Sequence, residues 1–192
     1  MVALRPQTAL LLIAVLALAL VALGVEPTAA SAPTLHLVAP AGPHSTLVPV
    51  DIQLHIAQAA NLGAWEFDLQ YDPALVTIAG ITLGDFFAPV DRCEPSMGRC
   101  AISLGPIDDG QIFSAGAVSH GQGVGASGDG VIATLHVQPT GAPGLATLHF
   151  ADALLTDVAA NPISPATADT VLEFVAPALD GSNTVFLPVV SR

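Results

Sequence analysis

The sequence predicts an all-β protein, an antiparallel sandwich or jelly roll, on three observations. Extended segments recur about every ten to fifteen residues from position 34 onward. Glycine and proline mark the gaps between them, and no apolar repeat at helical period interrupts the series. The segments fall at residues 34–38, 47–56, 64–71, 75–83, 100–104, 112–118, 130–138, 146–150, 153–157 and 170–174.

The chain opens with Arg5, an apolar run from Ala9 to Leu23, and then the small residues Thr28, Ala29, Ala30, Ser31 and Ala32. This is the pattern of an export signal, residues 1–30, cut after Ala30 or Ala32. The run is shorter than the ~20 residues a spanning helix needs. The expectation is therefore a secreted, extracellular protein with no membrane span after cleavage.

The segment 64–71 is the most strongly patterned. Trp65, Phe67, Leu69 and Tyr71 alternate with Ala64, Glu66, Asp68 and Gln70, so a two-residue period puts large apolar groups on one face and acids on the other. Asp72-Pro73 breaks the ladder, since proline has no amide hydrogen and drives the residue before it from helical angles. Residues 75–83 then resume an extended run that closes on Gly84-Asp85-Phe86-Phe87.

Cys93 and Cys100 follow in DRCEPSMGRC, where Pro95 and Gly98 can turn the chain back. In an exported protein the pair reads as a disulfide that shapes a loop and adds at most ~2 to 3 kcal/mol. The piece 116–130, GAVSHGQGVGASGDG, reads as a mobile glycine-rich loop. Thr-Leu-His recurs at Thr34-Leu35-His36, Thr134-Leu135-His136 and Thr147-Leu148-His149, with Gln53-Leu54-His55 a looser copy. Alternation points each imidazole away from the buried face. A pair of them facing one another on adjacent strands would suit zinc, and His136 with His149 is the pair to check. The final segment, 177–192, ends in an apolar Leu-Pro-Val stretch that reads either as a sorting or cell-surface attachment signal or as an edge strand.

The net charge is −12 and the chain has no lysine. Neutralising phosphates takes clustered cations, so nucleic acid is excluded as a partner. A neutral, basic or calcium-bridged partner suits this surface. No catalytic signature is present: Ser119-His120 has no nucleophile elbow, and the paired carboxylates Asp108-Asp109 and Glu66 with Asp68 are expected in any acidic all-β chain. The expectation is of no enzyme. Asp108, Asp109 and Asp129 flank glycines in loops, a generic arrangement for calcium. Trp65 and Tyr71 are the only Trp and Tyr and fall on the core side, which leaves Phe86 and Phe87 as the candidate platforms for a sugar ring.

Residues 47–73, LVPVDIQLHIAQAANLGAWEFDLQYDP, with 128–164, GDGVIATLHVQPTGAPGLATLHFADALLTDVAANPIS, resemble the second, third and late strands of the cohesin domain. Cohesins are the receptor modules of bacterial scaffolding proteins. The resemblance covers roughly 34–176. It implies a jelly-roll sandwich of about nine strands, binding without catalysis, and a dockerin-like protein partner that carries its own calcium. It also implies a flat binding face on the family's third, fifth, sixth and eighth strands. Mapped through the Tyr-Asp-Pro corner, Ala64 stands where relatives carry asparagine and Glu66 where they carry aspartate. Ala64 cannot replace the amide, while Glu66 keeps a carboxylate. Asp68 and Gln70 continue that face, and Ser103, Thr134, His136, Thr147 and His149 are expected to join it. Polysaccharide binding, in the manner of the related carbohydrate-binding sandwiches, and a structural envelope role are the alternatives.

Overall fold

At about 3.3 Å per residue, the 21 residues of the strand Val50–Gln70 would reach about 70 Å if straight, roughly twice the width of a domain this size. The strand turns a corner instead, and that corner organises the fold. The computed structural model describes residues 31–87, 94, 96 and 98–177. The expected export segment 1–30, residues 178–192 of the C-terminal segment, and Cys93 lie outside them.

Twelve strand segments occur among the described residues: β1 (Thr34–Val38), β2 (His44–Ser45), β3 (Val50–Gln70), β4 (Val76–Leu83), β5 (Arg99–Ser103), β6 (Ile107–Asp108), β7 (Ile112–Gly121), β8 (Ala126–Pro139), β9 (Gly144–Asp157), β10 (Pro162–Ile163), β11 (Ala166–Ala168) and β12 (Thr170–Val175). The first half of β3 pairs antiparallel with β1 on one side and β8 on the other, and β4 extends β8. The second half pairs antiparallel with β7 and β9, and β5 and β6 extend β7. β9 continues onto β12, while two short parallel contacts, β1 with β11 and β12 with β2, close the edges. This is an all-β sandwich of jelly-roll type.

The corner lies between Ile56 and Leu62, where the β8 register shifts twice. Gln58 and Asn61 take positive φ there, 59° and 56°. Such angles cost an L-residue energy unless its surroundings hold it. The Gln58 amide donates to Asp129 Oδ1 at 2.6 Å, the Asn61 amide to Ser127 Oγ at 2.8 Å, and Asn61 Oδ1 accepts from the Gly125 amide at 2.7 Å.

Because β3 contributes to both layers, its alternate residues fill one core from both sides. Ile52, Leu54 and Ile56 come from the first half, Trp65, Phe67 and Leu69 from the second, and all are buried. The Trp65 and Phe67 rings stack at 5.8 Å, and Phe150 meets Phe67 edge-on at 5.9 Å. Each such side chain contributes about 1.5 to 3 kcal/mol by leaving water.

The observed segments correct the expected ones in three places. Residues 50–56 and 64–70 belong to one strand, as do 146–150 and 153–157, because bulges carry the ladder across the irregular residues, while 47–49 and Tyr71 fall outside it. The glycine-rich piece 116–130 is not a loop throughout: β7 runs to Gly121 and β8 begins at Ala126. Its glycines serve close approach. A Cβ on Gly125 would lie 2.2 Å from the Leu62 carbonyl oxygen, and one on Gly130 would lie 2.3 Å from the Phe86 ring. Finally, Phe86 and Phe87 are not open platforms. Phe87 is buried with its ring edge-on to Trp65 at 6.3 Å, and Phe86 packs partly buried against the core.

Candidate partner-binding face

Alternation along the second half of β3 turns Trp65, Phe67 and Leu69 inward, so Ala64, Glu66, Asp68 and Gln70 form an outward row. Register supplies the neighbours. On β7, Val118, Gly116, Ser114 and Ile112 stand opposite these four. On β9, Thr156, Leu154, Asp152 and His149 do the same. β5 adds Ile102, opposite Val118, and β6 adds Ile107, opposite Ser114.

Part of this face forms an open cleft of about 240 Å³ between Leu104 and Ile107 on one side and Asp152 and Leu154 on the other, with Glu66, Asp68, Ser114 and Gly116 as its floor. Gly116 keeps the floor low, since a Cβ there would lie 2.9 Å from the Trp65 carbonyl oxygen. Asp68 accepts a hydrogen bond from Ser114 Oγ at 2.5 Å, which fixes its carboxylate across the two strands. Leu104 and Ile107 are 62% and 72% exposed, Ile102 50% and Leu154 39%. Single exposed aliphatics are ordinary; three lining one acidic cleft, with Ile102 further along the same face, form a patch.

At the end of β3 the Tyr71 hydroxyl donates to Asp108 Oδ1. Burial, followed by this bond and the charges of Asp108 and Asp109, pushes the Tyr71 phenol up to about 12. Asp109 accepts from the amides of Ile112 and Gln111, which hold its carboxyl below the ordinary value. Asp169 is lowered in the same direction, chiefly by its hydrogen bond with His149 Nδ1 at 2.8 Å.

The fold is similar to solved cohesin structures. A non-cellulosomal cohesin from the hyperthermophilic archaeon Archaeoglobus fulgidus aligns with a TM-score of 0.55 at 15% identity, over 76% of this chain and 93% of that one. A type I cohesin from Clostridium thermocellum, in complex with a dockerin, gives 0.55 at 15% identity over 74% and 99%. The cohesin module of a Clostridium perfringens family 33 glycoside hydrolase gives 0.52 at 11% identity over 74% and 97%. The domain has a cohesin fold. No family model and no curated protein matches the chain by sequence.

Within this cohesin-like domain the expected site residues separate. Ala64, Glu66, Asp68, Gln70 and His149 share the face, and Thr147 continues its β9 row opposite Val171 of β12. Ser103 does not join them. It stands opposite Ala117, in the row that faces the core, and its Oγ accepts from the Gly105 amide at 3.1 Å. On this edge strand Ile102, not Ser103, shares the side of Val118 and Ala64.

Thr134 and His136 lie on the other sheet, because β8 pairs with the first half of β3. Thr134 stands opposite Gln53 and His136 opposite Asp51. His136 Nδ1 lies 2.8 Å from Asp51 Oδ1, and its Nε2 lies 2.8 Å from Thr82 Oγ1. His136 and His149 are thus on different sheets and cannot share zinc. The Asp108, Asp109 and Asp129 carboxylates also do not converge: the first two organise the β6–β7 turn, and Asp129 holds the distant β3 corner.

Leu104, Ile107, Asp152 and Leu154 escaped the sequence reading. Asp152 and Leu154 join the outward row only because a bulge shifts the β9 register between its pairings with Asp68 and Leu69. Alternation counted without that shift misplaces them.

Proposed function

We propose that this domain is a non-catalytic binding module that docks a protein partner on the face formed by β5, β6, β7, the second half of β3 and β9. One observation carries the reading: three exposed aliphatic side chains, Leu104, Ile107 and Leu154, line an open cleft with the carboxylates Glu66, Asp68 and Asp152, and the exposed Ile102 continues the same face opposite Val118. Apolar knobs around hydrogen-bond acceptors suit a partner that presents its own apolar ridge together with hydroxyl, amide or cationic donors. Cohesins of the same fold have been captured with dockerins, which supports a dockerin-like partner here. Calcium then belongs to the partner.

The setting proposed is extracellular, with residues 1–30 as an export signal, 34–176 as the binding domain and 177–192 as a sorting or edge segment. No helix among the described residues is long and apolar enough to cross a membrane. A Cys93–Cys100 bridge would be anchored at Cys100, which is buried on β5. Polysaccharide binding has less support, since Trp65, Tyr71 and Phe87 are all core side chains.

The test is capture from the producer's secretome with and without a calcium chelator, beside a polysaccharide array. Chelator-sensitive capture of a dockerin-bearing protein by the wild type, abolished in Glu66→Lys and Leu154→Asp but retained in Thr134→Ala, is expected. Retention on one polysaccharide, unchanged by those two substitutions, would overturn the assignment of this face.

A further inference from the structure

The outer surface of the opposite sheet carries an arrangement that the docking face does not use. His36 on β1 and His55 on β3 are directly opposed across an antiparallel ladder. Their ring centroids lie 5.4 Å apart with planes tilted by 32°. Both are half-buried.

Two imidazoles that share one tetrahedral metal ion require a particular separation. A metal–nitrogen bond of about 2.0 to 2.1 Å puts the ion about 3.2 Å from each ring centre, and a tetrahedral angle then separates the centres by about 5.2 Å. The observed spacing meets this requirement without movement of the strands. The hydrogen bonding of His55 fits as well. Its Nε2 lies 3.0 Å from Gln53 Oε1, an oxygen that can only accept, so Nε2 carries the proton and Nδ1 keeps its lone pair. Metal-binding histidines are characteristically oriented in this way, by a carbonyl oxygen on the nitrogen remote from the ion.

We propose that His36 and His55 form a surface chelate for a divalent transition metal, Cu²⁺ or Zn²⁺, with Gln53 as the orienting residue. Imidazole pairs with no carboxylate favour these ions over calcium or magnesium. The neighbours at this register are apolar, Val131 on β8 and Ala168 on β11, so two ligand positions stay open to water or to a donor from another molecule.

The test uses the protein purified without a polyhistidine tag and titrated calorimetrically with ZnCl₂ and with CuCl₂. One equivalent is expected to bind. His36→Gln and His55→Gln, checked for folding by circular dichroism, should each lose at least about tenfold in affinity, Gln53→Ala about tenfold, and His136→Gln nothing. In the wild type, ¹⁵N NMR should show Zn²⁺ shifting the His36 and His55 imidazole signals, which tests the site even if a variant misfolds. Undiminished affinity in either histidine variant, an equal loss in His136→Gln, or imidazole signals unmoved by metal would each overturn the proposal. Because the site lies on the opposite sheet, these outcomes are independent of partner docking.

Discussion

The Tyr71 hydroxyl donates to Asp108 Oδ1 at 2.7 Å, and the same oxygen accepts from the Gly110 amide at 2.9 Å. One carboxylate thus joins Tyr71, the buried residue that follows β3, to the turn after Ile107. Core and docking face are mechanically connected at this point.

Replacing Tyr71 by Phe removes that bond and should cost about 1 to 2 kcal/mol in chemical denaturation. The pH response has a definite sign. The folded phenol is raised to about 12 from 10, so its contribution is complete below pH 10 and is lost as pH rises toward 12. Wild-type stability should fall across this window, and the Tyr71→Phe protein should fall less.

Face and core substitutions should separate cleanly. Leu104→Asp and Ile107→Asp change exposed positions and should leave stability within about 0.5 kcal/mol while weakening partner capture. Trp65→Ala empties a fully buried site and should cost about 3 to 5 kcal/mol. Thermal denaturation of the three proteins checks both halves of the statement.

Gly125→Ala should destabilise by about 1 to 3 kcal/mol, because the new methyl meets the Leu62 carbonyl and the Asn61 backbone, neither of which can rotate away. A neutral result in urea titration would mean that the β3 corner is looser than its hydrogen bonds indicate.

Asp169 offers a second pH test. Its carboxyl is held below the ordinary value mainly by His149, so the stability it lends is present above pH 3.8 and disappears as acid titrates it. In His149→Gln, ¹³C NMR of the Asp169 carboxyl should show its pKa rising toward that of a free aspartate.

Much of the fold was legible in the chain. Trp65, Phe67, Leu69 and Tyr71 announced their burial by strict alternation, and the Asp72-Pro73 break marked the end of β3. What stayed hidden was non-local. Thr134-Leu135-His136 and Thr147-Leu148-His149 share a local pattern, yet the first pairs with the first half of β3, while the second pairs with β12 and, at His149, with Gln70 at the far end of β3. Nothing in three residues encodes the sheet they will join. Likewise, Gly125 and Gly130 look like loop residues until the carbonyl and the ring that occupy the space of their absent side chains are in place.

The corner in β3 has a consequence for unfolding. An uninterrupted ribbon belongs to both layers, so neither layer can slide or peel from the other without rupturing its own central hydrogen bonds. Amides of Leu54 and Leu69, on opposite sides of the bend, should therefore exchange with deuterium through a single shared opening event, as parts of one cooperative unit.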